Sequence, residues 1–185
     1  MRKLSVFNHV SLDGYFVDAN GDMSWAHKSD PEWLAFVQGN ASSGGGELVF
    51  GRVTYDMMAG YWPTPMAMQN DPVVAAGMNA MPKVVFSRTL KSAAWSHTRV
   101  LSGDLAAETR ALKQVDGPDL LIFGSGTIVS QLTQAGLIDS FQIVVNPIVL
   151  GSGRSMFAGA QVSMTLVSTR SFGNGNVVLR YERAA

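Results

Sequence analysis

The chain has 185 residues, 46% of them hydrophobic and 15% charged, which is enough apolar material for one core, so we expect one domain over residues 1–185. Fourteen Lys and Arg balance fourteen Asp and Glu, which removes the bulk attraction that binders of nucleic acid or anionic membranes rely on. The absence of cysteine excludes disulfides, thiolate zinc sites and cysteine nucleophiles. No apolar run reaches the ~20 residues of a membrane helix. We therefore expect a cytoplasmic protein that binds neither nucleic acid nor membranes.

The amino-terminal part predicts a strand, a polar loop and a helix. A β-rich run over residues 3–12 breaks at an Asp-Gly pair, which indicates a strand that opens into a turn. Ser29 and Asp30 are candidate N-caps that precede a proline, so a helix is expected over residues 31–38. The Gly-Asn pair at 39–40 is expected to end it.

Two strand, turn and helix units follow. Residues 47–50 are a short apolar strand that leads into the turn 51–54 and a helix. Residues 120–123 are a continuous apolar run, which is typical of a parallel strand buried on both faces. The turn 124–127 leads from it into a helix that Gly136 is expected to end. The second unit is the clearest in the chain.

The remaining elements complete a mixed α/β pattern. Further strands are expected over residues 84–86, 98–101, 141–145, 164–170 and 177–181, with the last two joined as a hairpin. Asp104 is the expected cap of another helix, and residues 59–81 are an insertion with a short helix from Pro72. About eight strands and four or five helices result. The pattern predicts an α/β fold with a mixed, mostly parallel sheet, an antiparallel C-terminal hairpin and helices on both faces.

The two glycine-containing turns are candidate anion sites. A helix N-terminus offers unpaired N–H groups and a partial positive charge, and glycine lets a phosphate approach the backbone closely. Two such turns at one sheet edge suit a pyrophosphate. The alternative is that Gly51 and Gly124 only make short connections between strand and helix.

Other nucleotide and metal motifs are missing from the sequence. It contains no G-x-G-x-x-G after the first strand and no G-x-x-x-x-G-K-[ST]. Three scattered histidines, without cysteine, cannot make a zinc deaminase site. We expect no metal site and assign His9, His27 and His97 to structural or surface roles.

Two arginines lie beside predicted strand ends. Arg52 follows Gly51, and Arg88 follows Ser87 at the end of the strand 84–86. A guanidinium matches phosphate oxygens in geometry and charge, so both arginines are candidates to recognise the 2′-phosphate that distinguishes NADPH from NADH. The alternative is that both are ordinary surface residues.

A family resemblance rests on the order of several short motifs along nearly the whole chain. The motifs are Ser11-Leu-Asp-Gly-Tyr15, Gly51-Arg-Val-Thr-Tyr55, Val85-Phe-Ser-Arg88, Ile122-Phe-Gly-Ser-Gly126, Gly151-Ser-Gly153 and Met156-Phe157. Together they resemble the dihydrofolate-reductase-like superfamily, and more narrowly the C-terminal reductase domain of the bifunctional riboflavin-biosynthesis deaminase/reductase and its stand-alone relatives. The resemblance implies an eight-stranded mixed sheet with NADPH across the carboxyl ends of its central strands.

The resemblance also assigns residues to roles. Those assigned to the cofactor are Gly51, Arg52, Thr54, Ser87, Arg88, Gly124, Ser125, Gly126 and Thr127. The loop 18–25 is expected to cover the nicotinamide, and Asn8, Trp25 and Glu32 are assigned to the substrate. Asp13 is the candidate catalytic residue that addresses the substrate, and its alternative role is that of a turn residue before Gly14.

The activity implied is NADPH-dependent reduction of a small nitrogen heterocycle, as in the 5-amino-6-(5-phosphoribosylamino)uracil reductase of riboflavin biosynthesis. In such a reaction the protein mainly positions two rings, excludes water and provides a proton or hydrogen bond. A true dihydrofolate reductase and a nucleotide-binding module without turnover are the alternatives. By analogy with the relatives, the partners expected are a small-molecule substrate and a second copy of the chain in a homodimer.

Overall fold

The computed structural model describes residues 1–27, 30–42 and 45–184, so the candidate cap Ser29 lies outside the described residues. The strands are β1 (Leu4–Ser11), β2 (Tyr15–Val17), β3 (Glu47–Gly51), β4 (Lys83–Phe86), β5 (Thr98–Leu101), β6 (Leu120–Phe123), β7 (Ser140–Asn146), β8 (Arg154–Ser155), β9 (Met164–Ser171) and β10 (Val177–Arg183). The helices are α1 (Pro31–Ser42), α2 (Arg52–Tyr61), α3 (Pro65–Asn70), α4 (Pro72–Ala80), α5 (Leu105–Gln114) and α6 (Gly126–Gln134). A short 3₁₀ turn spans Ser24–Ala26.

Eight of the strands form one mixed sheet in the order β5-β4-β3-β6-β1-β7-β10-β9. The first six pair in parallel, while β10 runs antiparallel to both β7 and β9. This arrangement confirms the expected mixed sheet with an antiparallel C-terminal hairpin. A second, two-stranded sheet of β2 and β8 was not expected from the sequence.

Helices cover both faces of the large sheet. On one face Leu4, Val6 and Val10 of β1 pack with Val129 and Leu132 of α6 in the largest buried cluster. The opposite face carries two further buried clusters, one beneath α1 and one beneath α2 and α4. We call this opposite surface the α1 face. Because neighbouring residues of a strand point to opposite faces, each position of β1 belongs to one of these two environments.

Helix α1 is longer than the sequence predicted. It was expected to end at Gly39 and Asn40, but it continues to Ser42. A glycine inside a helix costs only about 1 kcal/mol, which tertiary packing can offset. Here the packing is against α4, where a Cβ added to Gly77 would lie 2.8 Å from the carbonyl oxygen of Ala41. The insertion 59–81 is likewise more helical than expected, because it contains α3 as well as α4.

A buried ion pair lies at the amino-terminal edge of the sheet. Arg2 Nη2 and Glu47 Oε2 are 2.8 Å apart, and both side chains are 5% exposed. Arg99 Nη2 lies 2.6 Å from the other carboxylate oxygen of Glu47. Two guanidinium groups thus hold one buried carboxylate, which joins β3 to β5 and to the start of the chain.

Candidate functional site

The two glycine turns meet at the carboxyl edge of the sheet. Strands β3 and β6 are parallel neighbours, so their carboxyl ends emerge side by side. The backbone N–H of Gly51 donates a hydrogen bond to Ser125 Oγ at 2.8 Å. Gly124 has φ +72, and a Cβ there would lie 2.9 Å from Thr54 Cγ2. A side chain at position 124 would therefore force the turns apart.

The helices that follow these turns have no side-chain caps. Gly51 caps α2 without a side chain, and Ser125 precedes α6 in the left-handed region at φ 59, with its hydroxyl turned to Gly51. By contrast, α5 is capped by Asp104, which accepts from the N–H of Ala107 at 2.8 Å. Within residues 1–27, 30–42 and 45–184, no carboxylate or hydroxyl therefore caps the first turn of α2 or α6, and both positive helix ends face one edge.

A groove of about 310 Å³ continues this edge past β4 and β5. Its lining includes Ser87, Arg88, Gly103, Asp104, Ile128 and Gln131. Ser87 Oγ accepts hydrogen bonds from the N–H groups of Thr89 and Leu90, which fixes the turn that carries Arg88. Arg88 is exposed, and no side chain or carbonyl of the described ranges holds its guanidinium. The groove thus has one unpaired positive charge at its rim.

Arg52 is placed differently from Arg88. Its Nη1 lies 2.9 Å from Asp56 Oδ2 in an ion pair one turn along α2, and both side chains are about half exposed. Thr127 is exposed in the first turn of α6. Gly126 is buried, and a Cβ there would overlap the ring of Phe16, so this glycine permits close packing of β2 over α6. Of the two arginines, only Arg88 keeps its charge free for a ligand.

The carboxylate of Asp13 is engaged by its own chain. It accepts from Ser11 Oγ at 2.6 Å, from the N–H of Leu150 at 3.1 Å and from the N–H of Gly151 at 2.8 Å. The hydrogen bond from Ser11, with those from Gly151 and Leu150, lowers the pKa of Asp13 to about 2. Asp13 is therefore ionised at neutral pH and joins the turn after β1 to the loop after β7.

The three residues assigned to the substrate are dispersed. Asn8 is buried on the α6 side of β1, where its Nδ2 lies 3.3 Å from Met156 Sδ. Trp25 is partly buried in its loop and donates from Nε1 to the carbonyl of Asp22 at 3.1 Å. Glu32 forms an exposed ion pair of 2.8 Å with Arg170 on the edge strand β9. The structure does not bring Glu32 to the glycine turns, which lie at β3 and β6.

His9 lies near the carboxyl end of β1 on the α1 face, and the sequence interpretation gave it only a structural or surface role. Its ring makes edge contacts with Phe7 and Trp33, at centroid distances of 5.8 and 5.5 Å. Burial lowers the pKa of His9 from 6.5 to about 4. The hydrogen bond with Asn146 opposes this change and the charge of His27 adds to it, but burial dominates, so the ring is neutral at pH 7. The alternation of Phe7 and His9 along β1 was the available sequence signal, because it places both on one face.

A larger cavity of about 680 Å³ lies on the same α1 face but nearer the amino-terminal edge. Its lining includes Lys3, Ser5, Phe7, Val37, Gln142 and Arg180. None of the residues assigned to the cofactor or substrate lines it. The residues to which the sequence assigned the chemistry therefore lie outside this cavity.

Metal-ligating side chains are not clustered in the part of the chain that the structure describes. There, no three His, Asp or Glu side chains are grouped so that they could hold a metal ion. No helix in these same ranges is long and apolar enough to cross a membrane.

Comparison with known proteins adds a family to this geometry. The model of the RibD C-terminal domain matches residues 2–178. The chain belongs to the RibD C-terminal domain family. The uncharacterized protein YyaP of Bacillus subtilis (strain 168) is 25% identical over 174 residues, which are 93% of this chain and 90% of the relative.

Solved structures agree with the fold. A candidate riboflavin biosynthesis protein of Shewanella sp. PV-4 superposes with a TM-score of 0.73 and 22% identity, covering 100% of both chains. Dihydrofolate reductase from Enterococcus faecalis, complexed with NADP(H) and RAB-propyl, gives a TM-score of 0.68 and 15% identity over 99% of this RibD C-terminal domain and 97% of the enzyme. These likenesses confirm the dihydrofolate-reductase-like fold that the motif order predicts.

Proposed function

We propose that this RibD C-terminal domain protein is an NADPH-dependent reductase of a small, planar nitrogen heterocycle. The observation that carries the proposal is the pairing of two uncapped helix N-termini at adjacent glycine turns, with the unpaired Arg88 at the rim of the neighbouring groove. A helix N-terminus that no side chain caps is available to bind an anion, and a guanidinium suits a phosphate monoester. A dinucleotide with a 2′-phosphate has anionic groups for both places.

The residues present fit NADPH. The turns at Gly51 and Gly124 would hold the pyrophosphate, since no side chain caps the helices that follow them. Ser87 and Arg88 would hold the 2′-phosphate end, in a groove whose volume of about 310 Å³ falls within the usual range for small-molecule sites. When bound, NADPH supplies a hydride. The chain's own residues bind and orient the rings and exclude water.

On the substrate side, His9 offers a partly exposed residue on the α1 face, and the buried rings of Phe7 and Trp33 pack against its ring. The activity proposed resembles that of 5-amino-6-(5-phosphoribosylamino)uracil reductase in riboflavin biosynthesis, and the Shewanella protein supports this direction. Because Asp13 is ionised and accepts three hydrogen bonds from its own chain, it acts here by holding the loop at Leu150 and Gly151 beside the end of β1.

The proposal includes a cytoplasmic homodimer. Edge strand β9 supports the dimer, because most of its residues are exposed and Leu166 and Val167, on its two opposite faces, are 50% and 52% exposed. Unpaired edge strands with apolar side chains favour pairing with another chain. Light scattering of the purified protein at several concentrations tests this part, and a monomer at all of them contradicts it.

The decisive experiment is a titration of the protein with NADPH and NADH side by side, followed by thermal unfolding and calorimetry. A ligand that binds only the folded state raises the unfolding temperature by mass action. We expect a shift with NADPH and a smaller one with NADH. No shift with either nucleotide overturns the proposal.

Turnover then separates the alternatives. Oxidation of NADPH with 5-amino-6-(5-phosphoribosylamino)uracil supports the proposed activity. Methotrexate-sensitive turnover of dihydrofolate would instead indicate a dihydrofolate reductase, against which the surface pairing of Glu32 with Arg170 counts. Tight NADPH binding without turnover across pterins, pyrimidines and quinones would indicate a binding module.

A further inference from the structure

One polar side chain on the α1 face has an unused hydrogen-bonding group. Strand alternation places Phe7 and His9 on this face, and the carbonyl oxygen of Phe7 lies 3.4 Å from the N–H of Gly124. His9 is therefore two residues from the point where β1 meets the second glycine turn. His9 as a residue is partly exposed, although the rings of Phe7 and Trp33 pack against its ring from two sides.

Asn146, at the carboxyl end of β7, determines which ring nitrogen of His9 carries the proton. The amide Nδ2 of this fully buried residue lies 3.1 Å from the carbonyl oxygen of Val10 and 3.2 Å from that of Val144. Two carbonyl oxygens can only accept, so the NH₂ group, and not the amide oxygen, must face them. The same Nδ2 lies 3.3 Å from His9 Nδ1.

A proton on Nδ1 of His9 would point at an amide nitrogen of Asn146 that has hydrogens and no lone pair to accept it. Nδ1 must therefore be the unprotonated nitrogen, and the neutral ring carries its proton on Nε2. The buried Oδ1 of Asn146 has no hydrogen-bond partner among the described residues, so the contacts of Nδ2 are what orient this amide.

Nε2 of His9 has no hydrogen-bond partner within residues 1–27, 30–42 and 45–184. We propose that His9 is a specificity-determining residue whose Nε2–H donates a hydrogen bond to a ring carbonyl of the substrate, with Asn146 as the positioning residue that fixes this tautomer. The inference rests on the proposed function and adds to it the side chain that selects a ring carbonyl over a ring amino group. A ring that presents an amino group at the same place is rejected, because two donors would then face each other.

The probes for this inference are lumazine, which is pteridine-2,4-dione, and 2,4-diaminopteridine, which has the same ring with amino groups in place of both carbonyls. Calorimetric titration is done on the protein saturated with NADP⁺. We expect lumazine to bind at least about tenfold more tightly than 2,4-diaminopteridine. Lumazine gains a hydrogen bond from His9, whereas the diamino compound leaves that donor unpaired. In His9→Phe the preference should disappear while the affinity for NADPH stays within about threefold of wild type.

Two further measurements keep the inference falsifiable. His97→Asn is the matched control, because His97 lies in an exposed turn at φ 59, which asparagine tolerates, and its substitution should leave the preference intact. Nitrogen-15 spectra of the imidazole should show that only Nε2 of His9 is protonated, and Asn146→Leu should mix the two tautomers. If Asn146→Leu does not fold, the wild-type spectrum and His9→Phe still decide.

The outcomes separate this inference from the proposed function. If NADPH does not bind, the reductase assignment is refuted. The tautomer of His9 is still tested, because its nitrogen-15 spectrum needs no ligand. The role of His9 is overturned if NADPH binds but the wild type binds neither pteridine or binds both equally. It is also overturned if the preference for lumazine persists in His9→Phe. A spectrum with the proton on Nδ1 overturns it as well.

Discussion

Replacing Arg88 by Gln removes the unpaired charge at the rim of the groove without emptying the space it fills. A charge-assisted hydrogen bond contributes about 1.5–3 kcal/mol, and 1.4 kcal/mol corresponds to a factor of ten in affinity. Because Arg88 is exposed, solvent and salt screen its charge, so the lower end applies. We expect NADPH to bind the wild type roughly tenfold more tightly than NADH, and Arg88→Gln to remove most of that difference.

The matched control is Arg52→Gln. Arg52 already pairs with Asp56 on its own helix, so its loss should change the affinity for NADPH by no more than about threefold. The double variant should bind the two nucleotides nearly equally. Calorimetric titration of all four proteins with both nucleotides, at one fixed salt concentration, gives the comparison.

Three results would refute this reasoning. Equal affinities of the wild type for NADPH and NADH would mean that neither arginine recognises the 2′-phosphate. An equal loss of affinity for both nucleotides in Arg88→Gln would mean that Arg88 contacts a group that NADPH and NADH share. A larger effect of Arg52→Gln than of Arg88→Gln would show that the ion pair with Asp56 opens in the complex.

Two predictions concern stability and are checked by urea unfolding. Glu47→Gln leaves the buried Arg2 without its charged partner and should lower the free energy of unfolding by about 3 kcal/mol. Glu32→Gln breaks an exposed pair and should lower it by less than about 1 kcal/mol. Similar losses in the two variants would contradict this. His9 has a lower pKa in the folded protein, about 4, than its usual 6.5, mainly because of burial, so the unfolded chain binds more protons between these pH values. Stability should therefore fall by up to about 3 kcal/mol as the pH drops from 6.5 to 4, and less in His9→Phe; equal slopes in the two proteins would exclude this assignment.

The sheet and its two glycine turns were predictable because their signals are local and strong. The strand over 120–123 is a continuous apolar run that belongs in the middle of a parallel sheet, and β6 does lie between β3 and β1. Parallel strands place their carboxyl ends at one edge, so the contact between Gly51 and Ser125 follows once β3 and β6 are neighbours. That β3 and β6 are neighbours was implied by the family resemblance, which rests on the order of several motifs and not on any single one.

The features that sequence reasoning missed depend on contacts between distant parts of the chain. The small sheet pairs β2 with two residues of β8, a strand too short to have a pattern of its own. Helix α1 outlasts Gly39 because α4 packs against its last turn. Glu32 pairs with Arg170, 138 residues further along the chain, a contact that no local pattern predicts.

The difference between Arg52 and Arg88 has a local sequence signal. Asp56 lies four residues after Arg52 on a predicted helix, which is the spacing of a surface ion pair. No acidic residue stands at that spacing after Arg88. The local pattern therefore already favoured Arg88 as the free charge.

The geometry of Asp13 distinguishes a residue that touches the substrate from one that positions a loop. Its carboxylate accepts three hydrogen bonds from Ser11, Leu150 and Gly151, and with a pKa of about 2 it is not a proton donor at neutral pH. Asp13→Asn would set an NH₂ group against a backbone N–H and loosen the loop after β7.

We therefore expect Asp13→Asn to lower kcat/KM with whichever substrate is turned over, while the affinity for NADPH stays within about threefold of wild type and the shape of the pH profile is unchanged. Ser11→Ala is the graded control, because it removes one donor and leaves the carboxylate with its two backbone partners. It should have a smaller effect of the same kind. A pH limb that is present in the wild type and absent from Asp13→Asn would make Asp13 an acid or base in the reaction, and it would require the bonds to Leu150 and Gly151 to break when substrate binds.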